Sequence, residues 1–356
     1  MYHNFLINSL QGGGTEKVCK IIANGLAEKG YIINIYIFDD RDELAVQQCH
    51  TNVRLFFLGK ASSIKSIPSL FSLVPQLAGG SILVFNHEYA LVLLLIKLFL
   101  RKDLKIISRM NNTFSITVLF KSKKYRFFVT LLMKLFYKKM DFYIYQSKGI
   151  KDDLVRNYYV TGPSELIPNP IGLPTSILNK KSNSKHQLLY VGRLVKQKNV
   201  IDILKAVKFI SISNPNVILI IVGDGPEKER LKLFCLENDI VKHVSFVGKV
   251  LNVAQYYSEA NLTILSSFNE GFPNVLLESI SYNTPVVSYD CPSGPSEIII
   301  NGVNGFLVKH LDQNDLQEKI ISALSYNWKE KELLESISKF NCKNIISKYE
   351  TVLNNI

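Results

Sequence analysis

The chain has 356 residues, 47% apolar and 20% charged, which suits about two ordinary globular domains and excludes a disordered, collagenous or disulfide-framework protein. Its 42 Lys and Arg against 30 Asp and Glu leave a net charge of +12, so an acidic partner is expected: nucleic acid, nucleotide or anionic membrane. The five cysteines (Cys19, Cys49, Cys235, Cys291, Cys342) stand far apart with no CxxC pair, and no secretory signal pattern is read. The longest apolar run, Ala90 to Leu100, contains Lys97 and is shorter than the about 20 residues a bilayer-spanning helix needs. A cytoplasmic protein is expected, soluble or lying on a membrane surface.

In chain order, Phe5 to Asn8 reads as a short strand, Gly12-Gly13-Gly14 follows, and Thr15 to Lys29 has helical spacing ending at Gly30, a natural C-cap. Strands are then expected at Tyr31 to Phe38, Ser81 to Phe85, Lys105 to Ser108 and Phe142 to Tyr145. Between Lys97 and Met140 twelve Lys or Arg meet one acid, Asp103, so this segment nets +11 and holds nearly the whole surplus. Within it, Lys121 to Met140 interleaves Phe127, Phe128, Leu131, Leu132, Leu135 and Phe136 with cations at helical spacing. Such a helix could lie in a headgroup layer or pack its apolar side on a core, and periodicity does not choose.

Three prolines between Leu166 and Thr175 and a polar tract from Asn179 to Lys185 mark the domain boundary. The grammar then repeats, with strands at Gln187 to Val191, Val217 to Val222, Val244 to Val247, Leu262 to Leu265 and Pro285 to Ser288, and helices at Val200 to Ser211 and Glu227 to Glu237. Strands alternating with helices imply α/β architecture: two Rossmann-like, doubly wound parallel-sheet domains, 1–167 and 175–340, facing a central cleft that is the default ligand site. A last helix near Asn344 to Asn354, within 341–356, is expected to return to the first domain.

Phe268 to Ser279 (FNEGFPNVLLES) is the sharpest constellation. Gly271 and Pro273 force a turn, Asn274 opens a helix, and Glu278 falls one turn further along the face of Asn274. Amides at such a helix start favour a negative group, a phosphate-shaped site; the bland alternative makes Glu278 a dipole partner and Glu270 a solvated loop acid. Gly192 to Asn199 follows a strand directly, where Arg193 offers a planar fork and Lys198 a point charge to a diphosphate; a plain surface loop with three cations is the alternative.

Together these residues resemble the family 4 retaining glycosyltransferases of two-domain GT-B fold. The resemblance is carried by Glu270 and Glu278 spaced as Glu-x7-Glu around Gly271, Phe272, Pro273 and Asn274, and by Gly192-Arg193-Leu194 with Lys198 and Asn199. Val222 to Pro226 and Asn301 to Gly305 add to it, and it spans essentially the whole chain. It implies that Glu270 contacts donor-sugar hydroxyls, Glu278 the ribose, and Arg193 and Lys198 the donor diphosphate. Amides around Phe272, Asn274 and Val275 would complete that grip, and the turn at Gly248 would face the base. Gly12, Gly13 and Gly14 would form the first-domain loop near diphosphate and acceptor, small enough for close backbone approach. Read instead as a dinucleotide-binding loop with Asp39 or Asp40 as its ribose acid, that run lacks its third glycine at Lys17, which disfavours a dehydrogenase.

One departure stands out: many relatives carry Ser-Arg-x-His-Asn where this chain has Ser108-Arg109-Met110-Asn111-Asn112. Asn111 can orient by hydrogen bonds but cannot act as an imidazole. His87, at another strand end, is the candidate substitute, with a surface loop histidine as the alternative. His87, Arg109 and Asn111 are therefore the acceptor-side candidates. Neither a cofactor nor a metal is expected: Asp40-Arg41-Asp42 has the spelling of a metal-binding Asp-x-Asp but reads as a solvated turn. Asp290 to Glu297 resembles capsule, O-antigen and lipopolysaccharide-core transferases that use UDP-galactose or UDP-N-acetylhexosamine. The resemblance thus implies a nucleotide-sugar donor, UDP-linked, and a hexose or N-acetylhexosamine passed to a lipid-linked glycan in surface polysaccharide biosynthesis. The basic segment 97–140 implies an anionic membrane as partner, peripherally on the inner face of the cell membrane. A nucleotide-sugar epimerase of the same fold and a non-catalytic basic protein for nucleic acid are the competing readings; nucleic acid is not expected, because the aromatics read as buried on helical faces.

Overall fold

The computed structural model describes residues 1–11, 13–38, 49–59, 67–174 and 186–356. The chain divides into two compact units, Met1–Pro170 with Phe340–Ile356, and Ile171–Lys339. The break falls inside the proline-rich run, where residues preceding proline are held out of the helical region.

The first unit carries a seven-stranded parallel sheet of β1 (Tyr2–Ile7), β2 (Ile32–Ile37), β3 (Val53–Phe57), β4 (Ser81–Val84), β5 (Lys105–Met110), β6 (Phe142–Tyr145) and β7 (Ser164–Leu166), in the order β3-β2-β1-β4-β5-β6-β7. β1, β4 and β5 are almost continuously buried, because helices cover both faces of a parallel sheet. Two apolar clusters flank it. One holds Leu94, Ile106, Tyr137 and Tyr143; the other holds Phe5, Ile22, Ile35, Ile346 and Tyr349. The second cluster is completed by the terminal helix Cys342–Asn355, which packs against the helix Gly14–Glu28. A Cβ on Gly25 would lie 1.9 Å from the Cδ1 of Ile346, so the two helices are in close contact here and a larger residue would require the Ile346 side chain to shift.

The second unit repeats the plan with six parallel strands: β8 (His186–Val191), β9 (Val217–Val222), β10 (Val244–Gly248), β11 (Leu262–Leu265), β12 (Val286–Tyr289) and β13 (Gly305–Val308), in the order β10-β9-β8-β11-β12-β13. Its core gathers Leu188, Val207, Leu219, Ile264, Val287 and Ile320. In each sheet the strand order reverses once, between β1 and β4 and between β8 and β11, and ligands of open parallel sheets bind at the carboxyl ends of the strands beside such a reversal.

The expected strands fall within a few residues of their observed bounds. β3, β7 and β13 were not anticipated: all three are edge strands, β3 largely exposed, β7 only three residues long with none buried, and β13 only partly buried, so none carries a continuous apolar signal. The run Ala90 to Leu100 lies in the helix His87–Leu100, and no helix among the described residues is long and apolar enough to cross a membrane.

Candidate functional site

The carboxyl end of the second sheet is built from loops tied to one another. Gly192 N–H donates to Val222 O (3.0 Å), Leu194 N–H to Asp224 O (2.9 Å) and Gly223 N–H to Gly248 O (2.8 Å), joining the loops after β8, β9 and β10. A Cβ on Gly223 would sit 1.9 Å from the carbonyl oxygen of Gly192, so the first two loops touch backbone to backbone. Gly248 has φ +86° with open space beside its Cα.

The loop after β11 is anchored to the loop after β8 across the strand reversal. Phe268 N–H donates to Gln197 O (2.9 Å), the Gln197 amide to Asn269 O (2.9 Å), and the Ser266 hydroxyl to the carbonyls of Lys198 and Asn199 (3.1 and 2.9 Å). This brings Lys198 against Glu270: Nζ lies 2.5 Å from Oε1, and the Ser267 hydroxyl donates to the same oxygen at 2.6 Å. Oε2 has no hydrogen-bond partner among the described residues and is not sealed from solvent. Glu270 is 6% exposed, so the alternative of a solvated loop acid is corrected. Its carboxylate is fixed through one oxygen and presents the other.

From Gly271 the chain turns into the helix Asn274–Ser281. Gly271 and Phe272 are buried, Asn274 and Val275 half-buried in its first turn. Ser293 Oγ donates to Gly271 O at 2.8 Å, and Gly294, at φ +95°, leaves no room for a Cβ beside Pro273, so the segment after β12 braces the turn. Glu278 receives a hydrogen bond from the buried Tyr257 hydroxyl (3.0 Å), whose ionisation burial and this carboxylate suppress strongly. Arg193 is exposed on the loop after β8; its carbonyl accepts from the Tyr190 hydroxyl at 3.0 Å. Burial, with the charge of Glu270 next, pushes the Cys291 thiol up to about 12, so it stays protonated beside this cluster.

In the first unit the acceptor-side candidates separate. Arg109 is 1% exposed, and Nε donates to the Tyr349 hydroxyl at 2.8 Å, Nη2 to Asn169 Oδ1 at 2.5 Å and Nη1 to Asn111 Oδ1. Its guanidinium lies 5.3 Å from the ring centroid of Phe85. Asn111 also donates to Phe85 O and accepts from Gln146 at 3.0 Å. These side chains tie β5 to the terminal helix and to the end of the first unit; Arg109 is buried in that network, whereas Asn111 is half-buried at its edge. His87 is no surface loop residue either. It opens the helix His87–Leu100, its ring packs edge-on against Phe114 at 5.0 Å, and Nε2 is buried without a partner among the described residues. Burial lowers its pKa first, Lys121 lowers it further and Glu88 opposes both. Gly13 precedes the helix Gly14–Glu28, where a Cβ would collide with the Glu16 carboxylate. Gly12, Asp39, Asp40 and Asp42 lie outside the described residues.

Sequence reasoning missed Ser267, Gln197 and Tyr257, which hold the two glutamates in place. Ser267 could have been found as a hydroxyl two residues after a strand and three before Glu270; Tyr257 comes from a separate helix, Ala254–Glu259, and leaves no local sign.

The family model for Glycosyl transferases group 1 matches residues 177–340 and that for Glycosyltransferase Family 4 matches residues 12–173. A Campylobacter jejuni protein named GalNAc-alpha-(1->4)-GalNAc-alpha-(1->3)-diNAcBac-PP-undecaprenol alpha-1,4-N-acetyl-D-galactosaminyltransferase is 26% identical over 349 residues, 96% of this chain and 93% of its own. The lipopolysaccharide 1,6-galactosyltransferase of Salmonella typhimurium is 32% identical over 174 residues, 47% of this chain and 48% of its own. Among solved structures, the Anabaena protein HepE in complex with UDP and glucose superposes with a TM-score of 0.76 at 18% identity, covering 100% of both chains. The two parallel sheets thus share the GT-B fold.

Proposed function

The chain belongs to the family 4 glycosyltransferases, and from that premise we propose that it moves a hexose or N-acetylhexosamine from a UDP-sugar to a lipid-linked glycan, with retention of configuration, in surface polysaccharide synthesis. The observation that carries this reading is the half-occupied carboxylate of Glu270. A carboxylate clamped at Oε1 by Lys198 and Ser267 offers Oε2 as a fixed acceptor for a sugar hydroxyl, at the strand reversal where such a ligand is expected. Arg193 and the ammonium of Lys198 lie on the same stitched loops and would stabilise the departing diphosphate, with the start of the helix Asn274–Ser281 beside them, so no metal ion is assigned to that task. Glu278, oriented by Tyr257, would take the ribose hydroxyls, and the open backbone at Gly248 would lie under the base. The diphosphate itself would accept the proton of the attacking hydroxyl, which enters from the face it leaves.

The acceptor is assigned by similarity to relatives whose printed names include PP-undecaprenol and lipopolysaccharide substrates, and the enzyme would meet it at the cytoplasmic face of an anionic membrane. The test is a thermal-shift panel of UDP-, GDP- and ADP-sugars, then UDP release with and without a polyprenyl-diphosphate-linked glycan. Stabilisation by UDP-sugars, acceptor-dependent UDP release and at least about a hundredfold loss of turnover in Glu270→Gln and Arg193→Gln are expected. Interconversion of UDP-sugars without any acceptor would establish an epimerase instead.

A further inference from the structure

The sequence left two roles open for the basic helix, lipid-facing or core-packed; the structure packs one face on the core and leaves the opposite apolar face exposed. In the helix Lys123–Phe136, Tyr125, Val129, Leu132 and Phe136 pack with the buried Met133 against the first unit's core. The opposite face is apolar as well: Phe127 is 66% exposed, Phe128 62%, Leu131 43% and Leu135 51%. At 100° per residue these four share one outward stripe, with Lys124 and Lys134 among them. The preceding turn adds Leu119 and Phe120, 58% and 46% exposed.

Seven Lys and Arg between Lys121 and Lys139 are exposed, the segment 121–140 contains no acid, and none of the seven has an ion-pair partner among the described residues. A stripe of four large apolar side chains in water exceeds the scattered exposure that needs no explanation, so it calls for an occupant. Two copies of the face pressed together would oppose seven cations to seven with no carboxylate between them. A nucleic acid would answer the charge but leave Leu131 and Leu135, which have no ring to stack, in water. An anionic bilayer meets both requirements: acyl chains take the apolar stripe, headgroups the cations, and lysine stems reach upward between them.

We propose that the outer face of the helix Lys123–Phe136 is a membrane-docking surface, with Phe127, Phe128, Leu131 and Leu135 seated below the headgroups of an anionic leaflet and Lys124 and Lys134 at headgroup level. This deepens the reading of a lipid-borne acceptor. Vesicle binding and sugar transfer are separate measurements, so Glu270→Gln, inactive on that reading, still binds vesicles.

The test is co-sedimentation of the full chain with vesicles of phosphatidylcholine alone or mixed with phosphatidylglycerol. Wild type pellets with the mixed vesicles and is partly released by salt. The Phe127→Gln/Leu131→Gln and Lys124→Gln/Lys134→Gln pairs each partition at least about tenfold less, with unchanged unfolding midpoints. Should the first pair fail to fold, Phe128→Gln/Leu135→Gln replaces it. Wild type left in the supernatant, variants that bind like wild type, or an apolar variant whose only change is loss of self-association or of RNA binding would each overturn the assignment.

Discussion

Replacing Lys198 by Met removes the cation from a carboxylate that is largely buried. The pair is 2.5 Å apart, with side chains 18% and 8% exposed. At an effective dielectric constant of about 20, that separation corresponds to about 7 kcal/mol of attraction, most of it offset by desolvation of both ions. Losing one partner costs about 3–5 kcal/mol, because the survivor stays buried and uncompensated. Lys198→Met is therefore expected to destabilise the second unit by about 3 kcal/mol. Urea unfolding of wild type, Lys198→Met, Glu270→Gln and the double variant closes the cycle, and the double variant recovers most of the loss. An unchanged midpoint in Lys198→Met would refute the claim that this lysine compensates the carboxylate it clamps.

Arg109→Met deletes a buried guanidinium that donates to Tyr349, Asn111 and Asn169, so urea unfolding is expected to show a loss of about 3 kcal/mol; under about 1 kcal/mol would contradict the role of this network in holding the terminal helix. His87, held below its ordinary pKa by burial and Lys121 against the pull of Glu88, contributes stability that is present above pH of about 6.5 and lost as pH falls further. His87→Gln is expected to flatten that decline in unfolding free energy, leaving the share due to the similarly depressed His3, and an unchanged slope would remove the assignment.

Strands such as β9, with six apolar residues between turn signals, were legible because a strand buried on both faces must be apolar throughout. The two site loops were legible as well, since Arg193, Lys198, Glu270 and Glu278 are spelled out beside glycines that permit their turns. What holds them was not. Tyr257 and Glu278 are 21 residues apart and meet only once β8, β10 and β11 have placed their helices. The same limit applies at Arg109: local pattern shows a cation at a strand end, whereas its burial depends on Tyr349, 240 residues away. The basic helix was left open for a different reason: its two apolar stripes lie on opposite sides and overlap in a single periodic signal.

Residues 340–356 complete a unit begun by residues 1–170. During synthesis the opening half leaves the ribosome long before Ile345, Ile346, Tyr349, Val352 and Leu353 exist to close its second apolar cluster. Until Tyr349 is added, Arg109 lacks the phenol that receives its Nε–H, while the intervening 171–339 can already be compact. A nonsense codon at position 340 therefore damages the part of the molecule made earlier, leaving a nascent product with an uncovered helix groove for chaperones and proteases to find.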